Sequence, residues 1–190
     1  MRAPSTEVLY RRFPFIPGAG PSDPGGALHV PRIDQGEGRH DNPDAYAALY
    51  LSRDPVSPVA ELLKDAPPGI LDPAFLLHEG APYGLAAFDE SRLSDLVDLD
   101  DPEALAARAL RPSGVATGKR GPTQRLALRI HQEGAAGFEW WSTIEASWIN
   151  VTLFAERAAG RLALSGEPEP LSTSHPAVRE AAEVVGVLLA

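Results

Sequence analysis

Proline and glycine interrupt this chain so often that loops must take a large share of it. There are 19 prolines and 17 glycines in 190 residues. Proline removes a backbone donor and is barred from helix interiors, and glycine raises the entropic cost of holding either regular structure. Many turns between the regular elements are the expectation. The densest interruption is Phe13 to Pro31. It reads as one long loop, and a loop of that length inside a domain is often functional.

The remaining bulk properties bound the answer further. The length suits one domain, read as residues 1–190, with enough chain to bury a core. The formal net charge is −9. An acidic surface repels phosphate, which argues against direct contact with nucleic acid or anionic membranes. With no cysteine, disulfides, thiolate chemistry and Cys-based zinc sites are out. The opening residues MRAPSTEVLYRR lack an apolar core for a signal peptide, and no apolar run reaches the roughly 18 residues of a membrane span. The expected location is the cytoplasm.

Read in order, Glu7 to Phe13 predicts a strand whose Arg11 and Arg12 point to opposite faces. Tyr46 to Ser52 predicts a buried strand. Asp54 or Ser57 caps a helix running to about Lys64. Leu71 to His78 is a short helix or irregular. Gly84 to Phe88 and Ser94 to Leu99 predict short strands, and Asp100 caps a helix over Pro102 to Leu110. Thr123 to Glu133 fits both an alternating strand and one helical face. Helix is preferred, because Thr123 can cap it and Gly134 can end it. Phe138 to Ser142, Ile149 to Ala155 and Arg161 to Leu164 predict strands. Ser174 or His175 caps a last helix, Pro176 to Leu189, with an apolar face of Val178, Ala181, Ala182, Val185 and Leu188. No repeat, no regular βαβ alternation and no glycine fingerprint for a dinucleotide or P-loop appears. The class expected is α+β or mixed α/β.

Chemistry-bearing residues concentrate in Gly36 to Glu61, GEGRHDNPDAYAALYLSRDPVSPVAE. A glycine-rich turn bearing Arg39 leads into a strand bearing Tyr50, then into a helix bearing Glu61. A fixed cation, a phenol and a carboxylate in one loop–strand–helix segment can hold a phosphorylated, sugar-containing ligand. The histidines at 29, 40, 78, 131 and 175 are scattered without paired spacing, so no metal site is expected.

These residues resemble the RES domain family, named for an arginine, a glutamate and a serine. Leu9-Tyr10-Arg11 matches its opening strand. Gly38-Arg39-His40-Asp41, Leu49-Tyr50-Leu51-Ser52 and Glu61 match its next blocks in order. Thr123-Gln124 with Leu126-Ala127 also looks like the family. Gly137-Phe138-Glu139-Trp140-Trp141-Ser142 and Leu153-Phe154 match the last block. The resemblance covers about residues 8–188, with 14–31 as an added Gly/Pro-rich loop, and His40 stands where an aromatic residue is usual. It implies a fold like that of ADP-ribosyltransferases, two packed mixed β-sheets with flanking helices. It also implies consumption of NAD+ as substrate, by phosphorolysis with inorganic phosphate as co-substrate or by hydrolysis, and without a metal. Many members are toxins with a partner antitoxin, which here is expected to cover the pocket.

On that reading Arg11 and Arg39 bind the pyrophosphate, because a guanidinium meets phosphate through planar, paired hydrogen bonds. Tyr50 stacks on nicotinamide or bonds a phosphate. Glu61 is the carboxylate that stabilises the developing sugar cation. Ser142 orients the ribose or anchors Glu61. Glu61, Arg39 and Ser142 are thus the catalytic candidates, and Arg11, Arg39, Tyr50 and Ser142 the binding ones. Two other outcomes stay open: a nucleotide-binding module without turnover, and a protein ADP-ribosyltransferase.

Overall fold

The computed structural model describes residues 8–189. Glu7, the expected first strand residue, and the rest of the opening segment lie outside them. The elements in order are β1 (Val8–Pro14), β2 (Ala48–Ser52), α1 (Ser57–Leu63), β3 (Leu77–His78), β4 (Ala81–Asp89), β5 (Leu96–Asp98), α2 (Pro102–Ala107), α3 (Pro112–Val115), α4 (Arg120–Gln132), β6 (Gly137–Trp141), β7 (Ile149–Phe154), α5 (Ala155–Ala158), β8 (Ala163–Leu164), β9 (Glu169–Pro170) and α6 (Pro176–Val185). Strands and helices are interspersed, parallel and antiparallel pairings are both present, and the class is α+β.

Two units divide the chain. The first gathers the described parts of Met1–His29, Ser52–Asp89 and Leu164–Ala190. Its β1 and β4 pair antiparallel from Val8↔Asp89 to Pro14↔Tyr83, and β3 and β9 pair antiparallel with β4. Ser52, the last residue of β2, pairs with Tyr10. Helices α1 and α6 pack on one another, α1 through Val59, Ala60 and Leu63, α6 through Ala177, Val178, Ala181 and Ala182. The alanines let the helix axes approach. Leu63 is fully buried, and its truncation to alanine costs about 2–5 kcal/mol. His175 caps α6 by accepting the Ala177 N–H, Pro176 occupies its first turn, and Gly186 at φ +76° ends it. That stop comes earlier than expected, so Leu188 lies outside the helix and is exposed.

The second unit comprises Val30–Leu51 and Glu90–Ala163. In it β6 pairs in parallel with β5, from Leu96↔Gly137, and antiparallel with β7, from Gly137↔Leu153. Most of β2 also belongs here, next to β7. Tyr46, Leu99, Leu126, Ile130, Phe138 and Phe154 build the core beneath α4. The ambiguous segment is helical because Thr123, Leu126, Ala127 and Ile130 all lie on its buried face, a period that a strand cannot satisfy. Gly134 follows it at φ +93°.

Several element starts differ from expectation for local reasons. Asp101, not Asp100, caps α2, taking the Glu103 and Ala104 N–H groups, because Pro102 fills the first helical position. Helix α2 stops at Ala107, and Ala109 takes a left-handed φ of +52°. Neither Asp54 nor Ser57 is the N-cap of α1. The cap position is Val56, whose N–H donates to Asp54 Oδ1 at 2.8 Å. Helix α4 starts at Arg120, so Thr123 lies inside it. Tyr46 falls in a turn, its N–H bonded to the Asn42 carbonyl, and β2 begins only at Ala48.

Candidate functional site

In the second unit the turn from Gly36 to Tyr46 is wound around two buried polar side chains. Asp41 Oδ2 accepts the N–H groups of Gly36 at 2.8 Å and Gly38 at 2.7 Å. Tyr50 donates its hydroxyl to Asp41 Oδ1 at 2.6 Å and accepts the His40 N–H at 2.9 Å. Burial, with Asp41 alongside, raises the Tyr50 phenol well above its ordinary range, so it remains a donor. Gly38 has no room for a side chain, since a Cβ there would sit 2.5 Å from the Asp41 carboxylate. Gly38 is thus required by the closeness of that carboxylate, whereas Gly36, with open space around it, is favoured by its backbone φ of +149°.

His40 is 1% exposed. Its Nδ1 shares a 2.8 Å hydrogen bond with Thr152 Oγ1, which also accepts Trp140 Nε1–H at 3.2 Å. The imidazole meets Phe138 and Trp140 edge-on and stacks with Tyr50. Burial first, then the neighbouring Arg39 charge, hold its pKa well below the usual histidine value. His40 is therefore a neutral core ring. The Tyr46 hydroxyl donates to the His40 carbonyl at 2.6 Å. From α4, Thr123 Oγ1 donates to the Arg39 carbonyl at 2.5 Å, and Gln124 Nε2 donates to the Gly36 and Gly38 carbonyls.

That network holds Arg39 from both sides. Its guanidinium lies over the Trp140 ring, 4.9 Å from the centroid, and donates to the Thr117 carbonyl. A cation so placed is stabilised by the ring quadrupole and keeps its planar fork oriented. Ser142 is 2% exposed just past β6. Its Oγ accepts the Ile144 N–H at 3.1 Å and its N–H donates to the Trp148 carbonyl at 2.8 Å, so it fixes the turn after β6.

Arg11 and Glu61 belong to the first unit. Arg11 donates to the carbonyls of Ala27 and His29, the latter at 2.9 Å, and so clamps the long loop. Burial, and then Arg12 beside it, push its pKa down to about 10. The loop is wound on itself through Ile16 N–H to Gly25 O and Leu28 N–H to Pro21 O. A Cβ on Gly26 would stand 2.0 Å from the Gly20 carbonyl oxygen. Glu61 is half-buried on α1 and paired with Lys64 one turn on.

Strand alternation sends Arg12 the other way. Its Nε donates to the Pro58 carbonyl on α1 at 3.1 Å, and its guanidinium covers the Tyr83 ring at 4.6 Å. Burial lowers its pKa, while Tyr83 and then Glu61 pull it back up. Arg12 is thus the strand arginine that faces the Glu61 helix, and neither arginine is simply solvated. The two-residue period gave the opposite faces, but nothing local in the sequence says which face α1 covers. Arg39 and Tyr50 come together around one turn, and Ser142 follows the Trp140 strand. Asp41, Thr152 and Trp140 were missed as partners. The glycine pair before Asp41 was the available signal for the first.

Among the described residues no cluster of three or more His, Asp or Glu is placed to hold a metal, and no helix is long and apolar enough to cross a membrane. The model of the RES domain matches residues 8–174. No curated protein matches the sequence. Among solved structures, the toxin in the crystal structure of the M. tuberculosis MbcT–MbcA toxin–antitoxin complex is similar in fold. Its TM-score is 0.65 at 19% identity, over 95% of this chain and 90% of that one.

Proposed function

The chain belongs to the RES domain family, and from that premise we propose that it is an enzyme consuming NAD+. The bond from nicotinamide to ribose breaks and its electron pair leaves with the neutral base. The new bond at the sugar carbon comes from a phosphate oxygen or from water, which then gives up a proton. Nicotinamide leaves from a cationic ring and needs no general acid, so the protein's task is to position the ligand and stabilise the sugar cation. Arg39 holds the pyrophosphate, Tyr50 stacks on nicotinamide or bonds a phosphate, Ser142 orients the ribose, Arg11 contributes a second cation, and Glu61 supplies the negative charge. Arg12 keeps Glu61's helix in register. The observation that carries this reading is the Arg39 guanidinium, set over Trp140 by a turn with buried hydrogen bonds on both sides. The finer architecture implied by the family, two packed sheets as in ADP-ribosyltransferases, and the working of the whole span as one domain are part of the same proposal.

The family reading extends to biology: a toxin whose partner antitoxin covers the nucleotide site. The similar M. tuberculosis fold was crystallised within a toxin–antitoxin complex. The test is purified protein incubated with NAD+, with and without phosphate, and product masses. Phosphate-dependent loss indicates phosphorolysis, phosphate-independent loss hydrolysis, and mass added to a protein indicates ADP-ribosyl transfer. Intact NAD+ under every condition, from folded protein, refutes the enzymatic reading. A second reading is a nucleotide-binding module without turnover, favoured by the ion pair that occupies Glu61. Calorimetric NAD+ binding without product supports it.

A further inference from the structure

From residue 104 to residue 132 the sequence has six lysines and arginines and no acid, in a chain of net charge −9. Three of the six are paired: Arg108 and Arg129 with Glu133, Arg120 with Glu37. Arg111, Lys119 and Arg125 are exposed and make no ion pair among the described residues. Arg111 lies between Leu110 and Pro112, two residues that line an open, mostly apolar depression of about 420 Å³. Leu105, Ala106 and Trp141 add to its apolar wall with Pro102, and Asp100 is the one acid at its edge. Helix α3 follows Arg111 directly and is in contact with α4, which Lys119 precedes and which carries Arg125.

We propose that this face of the second unit docks a short segment of a partner protein in which a large apolar side chain is followed by acidic residues. The apolar side chain fills the depression, and the acids run on the Arg111 side, away from Asp100. Both halves are needed: exposed apolar surface gives affinity, and the rim charges give orientation and speed of association. A long polyanion fits less well. Its charge would extend over the rest of an acidic chain, and a phosphate backbone has no use for the apolar depression. None of these residues is placed in the proposed NAD+ chemistry, so turnover reports on folding when they are changed.

The test uses the full chain and a labelled synthetic peptide, a Leu-Phe pair followed by glutamates, followed by anisotropy at low and physiological salt. Saturable, salt-weakened binding is expected. Arg111→Glu with Arg125→Glu should weaken it by about tenfold, as rim charge reversal does, and Ala106→Trp, which fills the depression, by a similar factor. Unchanged thermal unfolding confirms that both variants fold. The proposal is overturned by no saturable binding, by variants that bind like the parent, by equal binding of polyglutamate, or by preference for a duplex DNA of the same charge.

Discussion

Replacing Tyr50 with phenylalanine isolates the hydroxyl that ties the Arg39 turn to β2. The ring stays, stacked on His40, so no cavity opens. Two hydrogen bonds are lost, the 2.6 Å bond to Asp41 and the 2.9 Å bond from the His40 N–H. Asp41 is 5% exposed; a bond to such a carboxylate is worth about 1.5–3 kcal/mol and an unpaired N–H costs about 1–3 kcal/mol. Asp41 keeps the Gly36 and Gly38 donors, so the two losses overlap, and about 3 kcal/mol is expected. With a urea slope of about 2 kcal/mol/M, the midpoint falls by about 1.5 M. The pH dependence is a second check. The phenol's pKa is raised in the folded chain, so its stabilisation is complete below the unfolded value of about 10 and is lost as pH rises beyond it. The gap between parent and variant should be flat from about pH 7 to 9 and narrow above. A midpoint shift below about 0.3 M, with an unchanged slope, would refute the account of the turn.

Other outcomes follow from the same geometry. Burial depresses His40's folded pKa, so the folded chain binds fewer protons and stability falls as pH drops below about 6.5; His40→Phe should flatten that part of the parent's curve in denaturation series. Glu61→Gln should leave NAD+ binding nearly intact and lower turnover by about a hundredfold, the scale of a lost transition-state contact; turnover at the parent rate removes Glu61 from the mechanism. Arg39→Ala should instead raise the NAD+ dissociation constant in calorimetry, because the pyrophosphate loses charge-assisted bonds. Arg11→Ala should release the loop around Ala27 and His29, seen as faster proteolytic cleavage within residues 14–31, with about 2 kcal/mol lost in denaturation.

Periodicity carried most of the secondary structure, because that signal is local, whereas of the expected N-caps only His175 of α6 holds its place. The α4 face and the His175-Pro176 start of α6 depend on residues within a turn or two of one another. What was not legible depends on chain-distant partners. Thr123 looked like a cap, but it is an interior residue whose hydroxyl reaches the carbonyl of Arg39 across 84 positions. His40 gave no local sign of its setting, and only the structure shows it buried among Phe138, Trp140 and Thr152. The chemical residues were picked out by their order along the chain. The division of labour between Arg11 and Arg12 required knowing where α1 and the long loop lie.

Neither unit is a continuous stretch of chain, and this fixes when the molecule can become competent during synthesis. The residues of the second unit are all translated by position 163, whereas the first still lacks β9 and α6. Until α6 arrives, α1 has no partner for the face formed by Val59, Ala60 and Leu63, and a seven-residue helix does not persist alone in water. The carboxylate on α1 is therefore set in place by an element made more than a hundred residues after it. A nascent or prematurely stopped chain would carry the Arg39 turn without a fixed Glu61. Any reaction that needs both groups must wait until α6 has been made and has docked on α1.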